Sequence, residues 1–233
     1  AESLHYASYV AYRAVTSTDL YPHINPLGDP VDGETLRESW AQTLAVRRAG
    51  KGAPKLGLYV HVPYCTVACT FCYCGKTDKF TRGDFETYLS RLEEEIAFFA
   101  PVFEGASFTS VYFGGGTPSL LSPPALKRLF GLLYGAFDVA DAEQIIFEGN
   151  PDSLNPRKIE ILATEGKVTR LTVGVQTLDD EAQRRSRRFN THHHVSEAVA
   201  AARQFGIPHI NIDLMAGMDG QSVSSFQEDV HFV

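Results

Sequence analysis

The stretch LYVHVPYCTVACTFCYC, residues 58–74, joins a short β-rich segment to a loop that holds every cysteine of the 233-residue chain. The segment 58–62 ends at Pro63, and the cysteines follow at Cys65, Cys69, Cys72 and Cys74. A disulfide framework would distribute its cysteines so that they close long loops. Four cysteines in the pattern C-x3-C-x2-C-x-C instead predict a metal or cluster loop in a reducing compartment.

The spacing of these cysteines favours an iron–sulfur cluster over zinc. Thiolates bind both, but a structural zinc site takes four ligands, often as two separated pairs. Three of the cysteines could ligate three irons of a [4Fe–4S] cluster and leave the fourth iron open to a small chelating ligand. A structural zinc knuckle remains the alternative at this point.

Outward from this loop, the chain alternates between strand and helix patterns. Strands are predicted at 58–62, 110–113, 144–148, 170–176 and 209–214. Helices are predicted at 84–100, 122–133, 155–166, 180–188, 195–205 and 222–233. Strands that are apolar on both faces predict a parallel sheet covered by helices, either barrel-like or doubly wound.

Unusual residues recur where the predicted strands end. The cysteine loop follows the first strand and a Gly114, Gly115, Gly116 run follows the second, while Glu148, Gln176 and Asp213 lie at or near the ends of the next three. In such folds, catalytic and ligand-binding residues lie at the carboxyl ends of the strands. Because glycine lacks a side chain, the run also lets the backbone approach a ligand closely.

The two ends of the chain differ from this repeat. Residues 1–54 are rich in aromatic and turn residues, with a helix predicted at 35–47, and form an expected N-terminal extension to a core at 55–233. The last helix has no strand after it, which favours a fragment that lacks a sixth βα unit and a C-terminal region.

Composition excludes several classes of protein. The chain is 44% hydrophobic and 21% charged, with a net charge of −7, as in ordinary globular domains. Its apolar runs are too short to span a membrane, and it shows no secretory signal, so a cytoplasmic protein without a membrane partner is expected. We also expect a monomer. The negative charge disfavours nucleic-acid partners, whose phosphates need Lys and Arg.

Cys65-x3-Cys69-x-Phe71-Cys72 resembles the signature of the radical S-adenosylmethionine (SAM) superfamily. Cys74 and the lead-in 59–63 resemble the oxygen-independent coproporphyrinogen III oxidase (HemN-like) branch. The resemblance extends over about residues 56–233 through the stretches 113–118, 148–151, 174–177 and 211–214.

This resemblance implies a fold and a chemistry. The fold would be a partial (β/α)6 barrel with parallel strands that stops after strand five. Cys65, Cys69 and Cys72 would ligate a [4Fe–4S] cluster, whereas Cys74 need not be a ligand. SAM would chelate the open iron, and one electron, donated by a flavodoxin or ferredoxin, would cleave it to methionine and a 5′-deoxyadenosyl radical. That radical would abstract a hydrogen atom from a small-molecule substrate.

The resemblance also implies roles for the cofactor-binding residues. Tyr59 and Glu148 would be catalytic and contact SAM, with strand packing and an ordinary salt-bridged acid as their alternatives. Arg188 would pair with the methionine carboxylate unless it lies on a solvated helix face. The remaining expected SAM contacts are Phe71, Gly114, Gly115, Gly116, Thr117, Gln176, Asp213 and Met215, of which Met215 has core packing as its alternative.

Three activities fit the branch. The first is oxidative decarboxylation of coproporphyrinogen III propionates in haem synthesis, for which Arg184, Arg185 and Arg187 could bind carboxylates. The second is a methylase or cyclopropanase that acts on a natural product with two SAM molecules, and the third is a haem chaperone. The stretch 12–17 only loosely resembles the Arg-Tyr-Thr-Ser-Tyr motif of the true oxidases.

Two histidine features are expected to be structural. His192, His193 and His194 point in different directions as neighbours, which predicts a surface loop rather than a metal site. His61, in the first strand, is expected to be satisfied within the core.

Overall fold

The computed structural model describes residues 31–49, 55–72 and 74–233. Most of the N-terminal extension, including the stretch 12–17, lies outside them. The helix expected at 35–47 is confirmed as α1, Gly33–Arg48, which begins where Asp32 Oδ1 accepts a hydrogen bond from the Thr35 amide at 2.8 Å. Trp40 of this helix packs against Phe99 with ring centroids 4.9 Å apart.

Five strands form one fully parallel sheet in the order in which they occur along the chain. They are β1 (Leu56–Val62), β2 (Phe108–Gly115), β3 (Gln144–Gly149), β4 (Arg170–Gln176) and β5 (His209–Leu214). Each crossover therefore moves one strand further in the same direction, as in a barrel, whereas a doubly wound sheet reverses its order near the middle. The prediction of a partial (β/α) barrel with parallel strands is confirmed.

Helices follow the strands at the predicted places. They are α2 (Arg82–Phe99), α3 (Pro123–Ala136), α4 (Pro156–Thr164), α5 (Asp180–Ser186), α6 (His192–Gln204) and α7 (Val223–Phe232). Short 3₁₀ turns occur at Ala100–Phe103, Pro118–Leu120 and Pro151–Ser153. Of the helices in the described residues, none is both long and apolar enough to cross a membrane.

The expected surface loop at the three histidines is wrong. His192, His193 and His194 form the first turn of α6, because Thr191 caps the helix and its hydroxyl accepts a hydrogen bond from the His194 amide at 3.2 Å. An N-cap one residue before the histidines favours helix over loop, and the apolar pattern alone did not show this.

The core lies between the outer face of the sheet and the helices. Val111, Phe113 and Phe147 of this face are fully buried, and the Phe113 ring meets Phe130 of α3 edge-on, with centroids 5.3 Å apart. The large apolar area removed from water here is the main stabilising contribution to the sheet.

The other face of the sheet is polar, so the expectation of strands that are apolar on both faces is wrong. Tyr112, Glu148 and Thr172 alternate with the buried apolar residues of their strands and are only partly buried or line a cavity. Side chains two apart along a strand share a face. The inner face therefore carries polar groups toward the cavity described below.

Candidate functional site

The cysteine loop is closed at its base by backbone hydrogen bonds. The Cys65 amide donates to the Thr77 carbonyl at 3.0 Å, and the Thr77 amide donates back to the Pro63 carbonyl at 2.7 Å. Within the loop, the Cys72 amide donates to the Cys69 carbonyl at 3.1 Å. These bonds hold Cys65, Cys69 and Cys72 at one wall of a cavity at the carboxyl end of the sheet.

The glycine run brings the end of β2 against the end of β1. The Gly116 and Thr117 amides donate to the Val62 and Tyr64 carbonyls, both at 2.7 Å. A Cβ on Gly116 would lie 2.6 Å from the Tyr64 carbonyl oxygen, so only glycine fits there. The run therefore fixes where the cysteine loop leaves the sheet.

Most of the predicted site residues meet in this one cavity. Besides the three cysteines, its lining includes Phe71, Gly116, Thr117, Glu148, Gln176, Arg188 and Asp213. Strand ends or the loops that follow them supply these residues, as the barrel geometry predicts, except Arg188, which follows helix α5.

Four predicted site residues are not part of the lining that the described residues form. Gly114 and Gly115 lie in β2. The Tyr59 hydroxyl is 3.0 Å from His61 Nδ1, and the Met215 amide donates to the Gln176 carbonyl at 2.8 Å. Their expected roles in SAM binding remain predictions.

His61 is satisfied in the core as expected. It is 5% exposed, and its Nε2 lies 2.7 Å from the Gly75 carbonyl oxygen in the cysteine loop. The imidazole therefore ties β1 to the far end of that loop.

Glu148 is oriented by a neighbour on the adjacent strand. The Tyr112 hydroxyl donates to Glu148 Oε1, and a Cβ at Gly114 would collide with both side chains. Burial raises the pKa of Tyr112, and the nearby negative charge of Glu148 raises it further. The phenol therefore remains a donor, which fixes one carboxylate oxygen.

Arg188 is buried, so the alternative of a solvated helix face is wrong. It is 8% exposed and follows Arg187, whose φ of 61° turns the chain inward at the end of α5. Its Nη2 donates to the Gly174 carbonyl and, at 3.3 Å, to Asn150 Oδ1. Its Nε is buried without a hydrogen-bond partner among the described residues, and an unsatisfied buried donor is costly unless a ligand accepts from it.

Two other arginines of this run lie at the surface and form ion pairs there. Arg184 and Arg185 are exposed and each lies 2.6 Å from a carboxylate oxygen of Glu181, while Arg185 also pairs with Asp219 at 2.8 Å. These two guanidinium groups are already engaged, which leaves them less suited to bind substrate carboxylates.

The structure adds residues to the site that the sequence did not single out. Asn150, Thr172 and Lys76 line the cavity, and Lys76 Nζ donates to the Cys72 carbonyl at 2.8 Å. Thr172 is opposite Glu148 in the β3–β4 register. Asn150 directly follows the Glu148-Gly149 strand end, and this adjacency was the available signal.

The cysteine thiols lie in different electrostatic surroundings. Burial raises the pKa of the Cys65 thiol, and a hydrogen bond from Thr117 offsets part of that increase. Burial also acts to raise the pKa of Cys72, but hydrogen bonds from Cys74 and Lys76 outweigh it, so the net pKa is lowered. The Cys72 thiolate, which is the form that binds metal, is therefore favoured.

The donor set fits a thiolate-held cluster with SAM beside it. Within residues 31–49, 55–72 and 74–233, no three His, Cys, Asp or Glu side chains gather as ligands of a single metal ion. The fit depends instead on three cysteines, on the unpaired buried donor of Arg188 and on the acidic groups Glu148 and Asp213, which all line the same cavity. An amino acid carboxylate and ammonium match that pairing of charges.

Comparisons with known proteins identify the family of this chain. A family model of the radical SAM superfamily matches residues 59–233. The oxygen-independent coproporphyrinogen III oxidase of Escherichia coli strain K12 is 37% identical over 172 residues, which cover 73% of this chain and 37% of that protein. The heme chaperone HemW of Lactococcus lactis is 31% identical over 172 residues, 74% of this chain and 44% of that protein.

A solved structure of coproporphyrinogen III oxidase (HemN) from Escherichia coli is also similar in fold. It aligns with a TM-score of 0.80 and 30% identity, over 95% of this chain and 48% of that chain. The chain thus spans less than half the length of each of these relatives.

Proposed function

Since the chain belongs to the radical SAM superfamily, we propose that it binds a [4Fe–4S] cluster and SAM and cleaves SAM reductively, as part of a coproporphyrinogen III oxidase-like enzyme. The observation that carries the proposal is the cavity whose lining includes Cys65, Cys69 and Cys72 together with Arg188, Glu148 and Asp213. Thiolates, a buried guanidinium and two carboxylates are the groups that a cluster and a zwitterionic cofactor need.

Each group has a distinct task in this proposal. When bound, the cluster and SAM supply a one-electron cleavage of the S–C5′ bond that yields methionine and a 5′-deoxyadenosyl radical. Cys65, Cys69 and Cys72 hold the cluster, and the unpaired Nε of Arg188 donates to the methionine carboxylate. Glu148, held by Tyr112, accepts from the ammonium or a ribose hydroxyl.

The adenosyl part of SAM would occupy the remaining polar lining. Gln176, Asp213 and Phe71 line the cavity. In this proposal Gln176 and Asp213 hydrogen-bond to the ribose, and the ring of Phe71 packs against the adenine.

Oxidative decarboxylation of coproporphyrinogen III is the favoured reaction. The support comes from the oxidase relatives, one 37% identical in sequence and one with a TM-score of 0.80. Because Arg184 and Arg185 are paired with Glu181 and Asp219, the propionates of the substrate would need other cations.

A haem chaperone is the second candidate, supported by the 31% identity to the heme chaperone HemW. This activity would use haem as cargo rather than a porphyrinogen as substrate. The methylase or cyclopropanase alternative, with a second SAM molecule, gains no support from these relatives.

Anaerobic reconstitution of the protein tests the proposal. We expect about four iron per chain, as a [4Fe–4S] cluster requires, and release of 5′-deoxyadenosine when SAM and dithionite or reduced flavodoxin are added. Mass spectrometry then distinguishes loss of CO₂ from coproporphyrinogen III from methyl transfer, and a haem titration followed by visible absorbance detects the chaperone. A protein that holds one zinc and never cleaves SAM would contradict the proposal.

A further inference from the structure

A row of hydrogen bonds connects two of the three proposed cluster ligands across the cavity. Thr117 Oγ1 lies 3.5 Å from Cys65 Sγ, and Asn150 Nδ2 lies 3.5 Å from the same Thr117 oxygen. On the other side, Arg188 Nη2 lies 3.3 Å from Asn150 Oδ1, and Arg188 Nη1 lies 3.7 Å from Cys69 Sγ. Asn150 is the middle member of this row.

The chemistry of the groups fixes the direction of every bond in the row. A guanidinium can only donate, so the oxygen of the Asn150 amide must face Arg188 and its NH₂ group must face Thr117. The Thr117 hydroxyl has one proton, and because it accepts from Asn150 that proton points to Cys65 Sγ. Both ends of the row therefore donate to sulfur.

The backbone of Asn150 is held in place by a second set of contacts. Its amide donates to Ser119 Oγ at 3.1 Å, and its carbonyl accepts from the Ser153 and Leu154 amides, each at 3.1 Å. Lys158 Nζ donates to the Ser119 and Ser153 carbonyls at 2.6 and 3.1 Å. With the main chain fixed in this way, the amide side chain is presented to Thr117 and Arg188 at one position.

We propose that Asn150 is a positioning residue that orients the Thr117 and Arg188 donors toward the Cys65 and Cys69 sulfurs and so tunes the reduction potential of the cluster. This inference rests on the proposed function, because it requires the cluster to be present. Hydrogen bonds to ligand sulfur and groups that orient ligands are known determinants of such potentials.

The sign of the effect follows from charge. Adding one electron makes the cluster and its thiolates more negative, and a donor to sulfur stabilises the more negative state. Loss of the two donors should therefore shift the potential to more negative values, and loss of one donor should shift it less.

Two variants and one control test this inference. Asn150→Leu removes the middle of the row at similar volume. Thr117→Val removes the donor to Cys65 and the acceptor of the Asn150 NH₂ group, and it leaves the contact between Asn150 and Arg188 in place. Asn155→Ala, in the same loop, removes the cap of α4, where Asn155 Oδ1 accepts from the Lys158 amide at 3.0 Å, and Asn155 is not part of the cavity lining that the described residues form. Circular dichroism establishes that each variant folds.

The main readout is the midpoint potential of the reconstituted cluster, from a dithionite titration with redox mediators followed by electron paramagnetic resonance. We expect a more negative midpoint for Asn150→Leu, a smaller shift in the same direction for Thr117→Val, and the wild-type value for Asn155→Ala. As a second readout, proton couplings that exchange in D₂O should weaken at the reduced cluster of Asn150→Leu, because its sulfur donors are displaced.

The outcomes separate this inference from the proposed function. If wild type takes up a cluster and cleaves SAM but Asn150→Leu keeps both the wild-type midpoint and the exchangeable couplings, the role of Asn150 is refuted and the proposed function stands. The role of Asn150 is likewise refuted if Asn155→Ala shifts the midpoint as much as Asn150→Leu does. If wild type takes up no cluster, both ideas are overturned together.

Discussion

At the scale of single residues, Arg188 shows how a side chain in a charged run can become a buried binding group. The run of arginines that begins at Arg184 is typical of an exposed helix face. The left-handed backbone conformation of Arg187 instead turns the chain so that Arg188 is buried. Its guanidinium is then anchored on the Gly174 carbonyl and Asn150, with Nε left over for a ligand.

We expect Arg188→Lys to weaken SAM binding about tenfold to a hundredfold. A lysine ammonium cannot donate at once to Gly174, Asn150 and a carboxylate, and one charge-assisted hydrogen bond contributes about 1.5–3 kcal/mol. Equilibrium dialysis of SAM against the reconstituted protein measures the change. Arg184→Lys, at the exposed and paired position, serves as the control and should leave the SAM affinity unchanged.

At the scale of secondary-structure elements, a side chain of α7 forms hydrogen bonds to the turn that follows β4. Asp229 of α7 is 3% exposed, and its carboxylate accepts from the Thr177 hydroxyl at 2.7 Å and from the Leu178 amide at 2.9 Å. The residue before this pair, Gln176, has a φ of 68°, in the left-handed region that non-glycine residues rarely adopt. The contact with α7 therefore stabilises a strained residue of the cavity lining.

We expect Asp229→Ala to lower the free energy of unfolding by about 1–3 kcal/mol, since it leaves two buried donors without an acceptor. Urea denaturation of wild type and variant measures this. Because Gln176 is then free to relax, SAM affinity should fall as well. Glu228→Ala, at the exposed neighbouring position, should change neither quantity, and an equal loss in that variant would argue against the contact.

Tyr134 connects α3 to the residues just beyond α4, and it makes the free energy of unfolding depend on pH in the alkaline range. Its hydroxyl, on α3, donates to the Gly166 carbonyl just beyond α4 at 2.6 Å, and burial raises the pKa of Tyr134. A pKa that is higher in the folded state means that the unfolded chain releases its proton first. The stabilising contribution is thus complete below the ordinary tyrosine pKa and is lost as pH rises toward the folded-state value.

We expect the free energy of unfolding to decline between about pH 9 and about pH 11, where tyrosines of the unfolded chain begin to ionise. Tyr134→Phe should be less stable than wild type near neutral pH by about 1 kcal/mol, because a hydrogen bond is lost. Its decline over the alkaline range should be shallower. Urea titrations of the reduced apoprotein at several pH values measure both, and parallel curves for the two proteins would contradict this account.

At the scale of the whole molecule, the protection of backbone amides against hydrogen exchange should decrease from the middle of the sheet to β5. The outer faces of β2, β3 and β4 include fully buried residues such as Val111, Phe147 and Val173, whereas every residue of β5 is at least partly exposed. Among the described residues, β5 pairs only with β4.

Hydrogen exchange followed by mass spectrometry should therefore find the slowest amides in β2–β4 and faster exchange in β5. The reason is that β5 has no fully buried residue, so opening it exposes less apolar surface than opening β2, β3 or β4. Equal protection of β4 and β5 would show that the sheet opens only as a unit.

The fold was predictable from sequence because its determinants are local. Apolar runs, caps such as Ser122 and Asn155, and glycines at strand ends gave the βα alternation, and the cysteine spacing gave the candidate cluster loop. The strand order and the polar inner face needed the structure, because periodicity does not show which strands pair. The contacts of Tyr112 with Glu148 and of Asn150 with Thr117 and Arg188 join residues that are far apart in the sequence, so they could not be predicted before the strand order was known.

The three glycines at the end of β2 differ in what could compensate for their loss. A Cβ at Gly114 would meet the Tyr112 ring and the Glu148 carboxylate, which are side-chain atoms, so both side chains would have to shift and their hydrogen bond would be disturbed. Gly115 combines a φ of 110° with the His61 ring at 2.7 Å, and Gly116 faces main-chain atoms that no substitution can trim. Substitution of the first glycine therefore requires only side chains to move, whereas substitution of Gly115 strains the backbone and substitution of Gly116 makes a Cβ collide with main-chain atoms.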